Sequence, residues 1–110
     1  MKKIRFGYVG AIALMLLATH ATAAGNKGVN EVTIDNFSFK PQTLTVAAGT
    51  KVTWVNRDDV PHTVVSTDKK TIVSDALDTD EKFSYTFSAA GTYDYYCSVH
   101  PHMKGRIIVQ

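Results

Sequence analysis

Apolar and polar residues alternate with a period of two along most of the chain beyond residue 30. A period of two places successive side chains on opposite faces of an extended backbone, so the pattern predicts β-strands. The alternating positions, in chain order, are Val32 and Ile34, Phe37 and Phe39, Leu44 and Val46, Val52, Trp54 and Asn56, Phe83, Tyr85 and Phe87, and Tyr93, Tyr95 and Cys97. A last strand is predicted over residues 105–109.

Breaks between these segments define the predicted connections. The parity of the pattern changes near Asp35-Asn36, which predicts a bend or bulge there. Residues 62–65 are β-branched after His62 and predict a strand, whereas residues 66–81 predict mostly loop with one edge strand or a helical turn. Seven or eight short strands spaced about ten residues apart, without helical periodicity, predict an all-β fold, a Greek-key antiparallel β-sandwich.

Eight of the nine aromatic residues beyond residue 30 are expected to fill the core of this small sandwich by default, because packing explains most aromatic side chains in a domain of this size. They are Phe37, Phe39, Trp54, Phe83, Tyr85, Phe87, Tyr93 and Tyr95.

The first residues of the chain have the composition of an export signal rather than of a folded domain. Lys2, Lys3 and Arg5 precede an apolar run at residues 11–18, and Ala21-Thr22-Ala23 is a small-residue cleavage site. The apolar run is shorter than the roughly 20 residues that a membrane-spanning helix needs. We therefore predict a signal peptide over residues 1–23, cleaved near Ala23, and one domain over residues 24–110. The mature protein is expected to be exported and to have no membrane span.

Charge gives no support for a nucleic-acid partner. The net charge of +2 belongs to the full chain. Removal of the predicted signal takes three basic residues and leaves nine basic against ten acidic side chains. No tract rich in Lys or Arg remains that would bind phosphate groups.

The candidate chemistry is concentrated in the segment Cys97-Ser98-Val99-His100-Pro101-His102-Met103, where a thiol, an imidazole and a thioether recur at every third residue. Two His and one Cys with a weak axial Met form the ligand set of electron-transfer copper, so a second His is required. His62 is the only His between the predicted signal and this segment. The predicted metal ligands are therefore His62, Cys97, His100 and Met103, around one type 1 copper ion.

Each of these residues also has a simpler interpretation. Taken singly, Cys97 could be an inert buried residue and Met103 a core residue. Zinc also binds His and Cys, but a thioether is a poor ligand for zinc. A Cys-His hydrolase with Cys97 as nucleophile would need an oxyanion hole and a substrate pocket, for which the sequence has no signal. We therefore expect a protein that is not an enzyme.

Asn56 is a candidate for support of the site, because it lies at a predicted strand end six positions before His62. We predict that its side chain ties the His62 loop to the Cys97 loop by hydrogen bonds, since such bonds orient metal ligands. The alternative is that Asn56 is an ordinary turn former.

With these residues in place, the chain resembles the small cupredoxins, and among them the amicyanins. The resemblance extends over nearly the whole predicted domain and includes Phe37-Ser38-Phe39-Lys40-Pro41, Gly49-Thr50-Lys51-Val52-Thr53-Trp54, Pro61-His62-Thr63-Val64, Gly91-Thr92-Tyr93-Asp94-Tyr95 and the short Cys97-x-x-His100-x-x-Met103 loop. The resemblance implies a periplasmic type 1 copper protein that passes single electrons between redox partners, with the four ligands named above.

Two residues depart from the amicyanin pattern, which has Pro before the loop His and Phe before the Met. Val99 offers a backbone N–H that we predict to donate to the Cys97 sulfur; the alternative is that Val99 only adds apolar surface. His102 could change the docking surface or compete for metal, so the usual amicyanin partner, methylamine dehydrogenase, is not assumed.

The sequence thus predicts a monomeric electron carrier whose transient redox protein partners dock near His100, at a surface formed by Val60, Pro61, Val99 and Pro101. The alternative function is copper binding for delivery or buffering. Met-rich or His-rich tracts would favour that alternative, and the sequence has neither.

Overall fold

The computed structural model describes residues 30–110, and the predicted signal peptide lies outside these residues. Eight β-strands form within them, and this part of the chain contains no helix long and apolar enough to cross a membrane. The strands are β1 (Glu31–Asp35), β2 (Ser38–Lys40), β3 (Thr43–Val46), β4 (Thr50–Asn56), β5 (Val65–Ser66), β6 (Lys82–Phe87), β7 (Gly91–Tyr96) and β8 (Lys104–Val109).

The strands divide into two four-stranded sheets with the orders β2-β1-β4-β6 and β3-β8-β7-β5. This arrangement confirms the all-β sandwich. The sheets are mixed rather than purely antiparallel, because β1 pairs with β4 and β3 pairs with β8 in parallel. Both parallel pairs join strands that are not consecutive in the sequence, as parallel pairing requires a crossover connection. The alternation of apolar and polar residues shows which face of a strand is buried, but it does not show whether the neighbouring strand is parallel or antiparallel.

The inner faces of the two sheets pack around Trp54, which is fully buried. The Tyr95 ring contacts Trp54 and Phe39 edge to face, with ring centroids 5.4 and 4.7 Å apart. The prediction that aromatic residues form the core is confirmed for these three and for Phe87. Three others pack partly buried against the same cluster: Phe83, Tyr85 and Tyr93.

Phe37 is the exception among the predicted core aromatics, because its side chain is 43% exposed. It lies in the turn between β1 and β2, where both Asn36 and Phe37 adopt positive φ angles of 54° and 56°. The turn occurs where the bend near Asp35-Asn36 was predicted. Its left-handed conformation directs Phe37 away from the core, so the core prediction was wrong for this residue.

The predicted strand over residues 62–65 forms only in part, since β5 contains Val65 and Ser66 alone. The Thr63 N–H donates to the Cys97 sulfur at 3.4 Å, and the Val64 N–H donates to Ser74 Oγ at 2.8 Å. These donors bind side chains, so they are not available to a strand ladder. Between residues 67 and 81 the chain is mostly loop, as predicted, with single bridges in place of the expected edge strand or helical turn.

Candidate metal centre

The segment from Cys97 to Met103 is a closed loop between two adjacent strands. β7 ends at Tyr96 and β8 begins at Lys104, so the strand ladder fixes both ends of the loop. The Cys97 N–H donates to the Met103 carbonyl at 3.1 Å, and the Met103 N–H donates to the His100 carbonyl at 2.9 Å. These bonds bring the side chains of the loop to the same end of the sandwich.

His62 reaches the loop from another part of the chain and is completely buried. Its backbone exchanges two hydrogen bonds with Leu77, of 3.1 and 2.7 Å, which fix the main chain at this position. Its Nε2 lies 2.8 Å from Asp58 Oδ2. The opposite ring nitrogen, Nδ1, therefore faces Cys97.

The structure brings three of the four predicted ligands together. Cys97 Sγ lies 3.8 Å from His62 Nδ1 and 3.9 Å from His100 Nδ1. The donor atoms of all three residues lie within 4.8 Å of one another. Bonds of about 2.0–2.3 Å to one ion place ligand atoms about 3–4 Å apart, so this group fits a single soft or borderline metal ion. One thiolate and two imidazoles suit copper.

Met103 completes the loop and is buried at 3% exposure in the same apolar cluster as Cys97. Its backbone closes the loop, as described above. Its position beside the three clustered ligands is consistent with the predicted axial role, which stays a prediction. His102 is exposed and does not belong to the cluster formed by His62, Cys97 and His100.

Thr63 supplies the hydrogen bonds that surround the sulfur. In addition to its N–H, its hydroxyl lies 3.7 Å from Cys97 Sγ. Within residues 30–110, Val99 is not among the donors to this sulfur, and its side chain is 51% exposed. The predicted bond from Val99 is therefore replaced by one from Thr63, because the chain after His62 turns towards the thiol instead of joining a ladder.

The connection between the His62 loop and the Cys97 loop is also made by Thr63. Its hydroxyl accepts a 2.7 Å bond from the Ser98 N–H and lies 2.8 Å from Ser98 Oγ. Sequence reasoning missed this role, since the β-branched pattern predicts a strand at Thr63. The sequence feature that could have indicated this role is the position of Thr63 directly after His62, a candidate metal ligand.

Asn56 is fully buried, but its side chain does not reach the Cys97 loop. Its Nδ2 donates to the carbonyls of Val60 and Leu77 at 2.9 and 2.8 Å, and its Oδ1 accepts from the Asp58 N–H at 2.9 Å. The prediction of a bond across the site was wrong. Asn56 instead holds the loop before His62 against the segment that carries Leu77.

We expect Asn56→Ala to lower the free energy of unfolding by about 2–3 kcal/mol, because it removes the three hydrogen bonds of a fully buried side chain and leaves the Val60 carbonyl and the Asp58 N–H without these partners. Urea unfolding of the metal-free protein measures this change. Gln42→Ala is the control, since this exposed amide donates a single bond to the Lys104 carbonyl. Equal stability of the two variants would contradict a supporting role for Asn56.

Asp58 is an almost buried carboxylate, with its side chain 10% exposed. Burial alone would raise its pKa, but hydrogen bonds from the Phe37 N–H, His62 and the Asn36 N–H outweigh burial and lower the pKa below 3.8. The carboxylate is therefore ionised at neutral pH. It accepts from the imidazole of a candidate ligand, an arrangement that orients metal-binding histidines.

Comparison with known proteins places this geometry in a family. The family model described as "Cupredoxin-like domain" matches residues 8–109. The chain belongs to the cupredoxin-like family. Among curated relatives of this cupredoxin, amicyanin-alpha of Methylorubrum extorquens is 34% identical over 89% of this chain and 86% of the relative. Chloroplastic plastocyanin of Chlamydomonas reinhardtii is 37% identical over 93% of this chain and 76% of the relative.

Solved structures agree with the sequence relatives. A purple cupredoxin from Nitrosopumilus maritimus superposes with a TM-score of 0.68 at 33% identity, over 73% of this chain and 98% of that one. An amicyanin variant in the reduced state gives a TM-score of 0.70 at 31% identity, over 80% and 88% of the two chains. The predicted resemblance to small cupredoxins and amicyanins is confirmed.

Proposed function

We propose that this cupredoxin is a periplasmic type 1 copper protein that carries single electrons between redox partners, with His62, Cys97, His100 and Met103 as ligands of one copper ion. One observation carries the proposal: a buried thiol faces two imidazole Nδ1 atoms at 3.8 and 3.9 Å. Copper bound by this donor set supplies a centre that gains and loses one electron, between Cu(II) and Cu(I).

The protein's part is to hold the ligands and to exclude water. Cys97 and His62 have no exposed surface, and Met103 is almost buried, so the donor atoms lie in a protected environment. Thr63 donates to the sulfur and also bonds to Ser98, which fixes the first residues of the loop. Ligands held in this way keep their places in both oxidation states.

His100 differs from the other ligands because its side chain is only half-buried. We assign it to the electron's path between the site and a docked protein. Apolar residues with exposed surface occur at Val99 and Phe37, and Pro61 and Pro101 are exposed as well. An apolar surface of this kind suits partners that bind weakly and leave quickly, and a carrier that works as a monomer.

Copper delivery or buffering is the competing function, and it requires a site that releases its metal readily. The complete burial of Cys97 and His62 favours retention instead. Beyond residue 30 the sequence has one Met and three His, and the proposed site already uses all of them except His102.

A visible absorption spectrum of the oxidised, copper-loaded protein tests the proposed function. We expect an intense thiolate-to-Cu(II) band and a reversible one-electron reduction. Transfer of the metal to a competing chelator, followed by the loss of this band, measures the exchange rate. A colourless protein that prefers zinc, or one that releases copper within seconds, would contradict the carrier function.

Met103→Ala is expected to keep a coloured copper site and to lower the reduction potential, because the soft thioether favours Cu(I). A difference of about 1 kcal/mol between the two oxidation states corresponds to roughly 40 mV for one electron. Cyclic voltammetry measures the shift. Met103→Leu is the matched control, since it removes the sulfur while filling the buried space, and it should retain the fold better than the Ala variant.

A further inference from the structure

The turn between β1 and β2 has an unusual backbone for the residue that it carries. Asn36 and Phe37 both lie in the left-handed region, at φ angles of 54° and 56°. Asn tolerates this region, but a bulky residue such as Phe rarely adopts it. A conformation of this kind persists only where surrounding contacts hold it in place.

Asp58 provides those contacts from the loop before His62. Its Oδ1 accepts a 2.6 Å bond from the Asn36 N–H, and its Oδ2 accepts a 2.9 Å bond from the Phe37 N–H. The same Oδ2 lies 2.8 Å from His62 Nε2. One nearly buried carboxylate therefore joins the left-handed turn to a ligand histidine.

The Phe37 ring lies against both ligand histidines. Its centroid is 5.2 Å from that of His62 and 5.0 Å from that of His100, with interplanar angles of 86° and 89°. The two imidazoles themselves lie 5.0 Å apart. Edge-to-face contacts at these distances restrict the rotation of each ring. Phe37 is thus the aromatic neighbour of the half-buried His100.

We propose that Asp58 is a positioning residue that holds the Asn36-Phe37 turn in its left-handed form, so that the Phe37 ring braces His100 and fixes its orientation. The significance of this brace for electron transfer rests on the proposed function, whereas the brace itself is a property of the polypeptide. Asp58 thus orients His62 directly and His100 indirectly, through Phe37.

A simpler view gives Asp58 and Phe37 independent roles, in which the carboxylate orients only His62 and the ring only adds apolar surface. The two views differ in what Asp58→Asn does to His100. If Asp58 acts through Phe37, its replacement releases the turn and changes the environment of His100 although Phe37 is still present. If the roles are independent, the environment of His100 is unchanged.

The first test uses NMR of the full-length protein in its metal-free and Cu(I) forms. We expect Asp58→Asn to reduce the hydrogen-exchange protection of the Asn36 and Phe37 amides by about tenfold or more, as loss of a charged acceptor implies. The His100 ring-proton shifts should move towards their values in Phe37→Ala. Asp59→Asn is the matched control, because it removes the same charge from the exposed neighbour.

The second test is a double-mutant cycle on the oxidised copper protein, with the position of the visible band and the reduction potential as readouts. Residues that act as a unit give non-additive effects, so Phe37→Ala should add little to Asp58→Asn. Full additivity, or His100 shifts in Asp58→Asn that match wild type, would overturn the proposal. If Asp58→Asn fails to fold, Asp58→Glu takes its place, because the longer side chain keeps the charge but moves the acceptor oxygens. His100 shifts that match wild type although the Asn36 and Phe37 amides lose protection would overturn the proposal, and His100 shifts that move towards those of Phe37→Ala would support it.

These measurements separate the brace from the function on which its use depends. The metal-free spectra report on Asp58, Phe37 and His100 whether or not the protein carries electrons. Absence of a thiolate-to-Cu(II) band in the wild type would contradict the proposed function. The metal-free spectra would still show whether Asp58 acts on His100 through Phe37.

Discussion

Cys97→Ala is expected to abolish the intense visible absorption of the copper-loaded protein. The thiolate is the only sulfur anion that the chain can supply, since Cys97 is its single cysteine. Its sulfur lies 3.8 Å from His62 Nδ1 and 3.9 Å from His100 Nδ1, so its removal takes the strongest donor from the proposed site and leaves the two imidazoles and the proposed thioether ligand. Absorption spectra recorded during titration with Cu(II) measure the loss.

Cys97→Ser is the companion variant, because it keeps the size and the hydrogen-bonding capacity of the side chain while replacing the soft sulfur with a hard oxygen. Both variants should lack the band, and copper should raise their melting temperatures by less than it raises that of the wild type. A metal ion that binds only the folded state, at a free concentration of 100 times its Kd, adds about 2.7 kcal/mol to the free energy of unfolding. Copper should therefore clearly raise the melting temperature of the wild type. A retained thiolate-type spectrum in Cys97→Ala would show that the ligand assignment is wrong.

The ligand loop was predictable because its residues are close in sequence. The spacing of Cys97, His100 and Met103 needs only a short connection between adjacent strands to bring the side chains together. His62 was predictable by its residue type, as the remaining His outside the loop and the predicted signal. The structure confirms that His62, Cys97 and His100 lie together.

The surroundings of the ligands could not be predicted in the same way. Thr63 and Val64 have β-branched side chains, which indicate a strand, but their N–H groups donate to Cys97 and Ser74. Whether a backbone donor binds a ladder or a distant side chain depends on tertiary contacts. The same limit applies to Asn56, whose partners lie on its own side of the site.

Phe37 shows a related limit. Its residue type and its place in an alternating segment favoured the core, and the bend was predicted at the right place. The sign of φ in the turn decides where the ring points. That sign depends on Asp58, which lies 21 residues further along the chain than Phe37.

Gly105→Ala is expected to destabilise the fold by about 3 kcal/mol, at the upper end of the range for overpacking a core. Gly105 pairs with Tyr95 across β7 and β8. A Cβ atom at this position would overlap Cζ and Oη of Tyr95, far inside the distance of van der Waals contact. Since β8 begins one residue after Met103, a shift of this strand would also disturb the ligand loop.

The Tyr95 ring has little room to move away from an added methyl group. It is 1% exposed, and burial raises the pKa of its hydroxyl well above the ordinary value of 10.0. Its other sides contact Trp54 and Phe39. The added group must therefore displace either the core aromatic residues or the β8 backbone, and both displacements cost packing energy.

Thermal unfolding of the metal-free protein should show a decrease in Tm of about 12–24 °C for Gly105→Ala, from roughly 4–8 °C per kcal/mol in a domain of this size. Tyr95→Ala is itself destabilising, but it removes the ring that clashes with the added methyl group. Gly105→Ala should therefore lower the stability much less in the Tyr95→Ala background than in the wild type. Gly49→Ala is the control: its φ of 94° makes substitution costly, but a Cβ there meets no atom within 4 Å, and Tyr95→Ala should not relieve that cost. A Gly105→Ala protein that melts within about 2 °C of wild type would show that the sheet accommodates the methyl group.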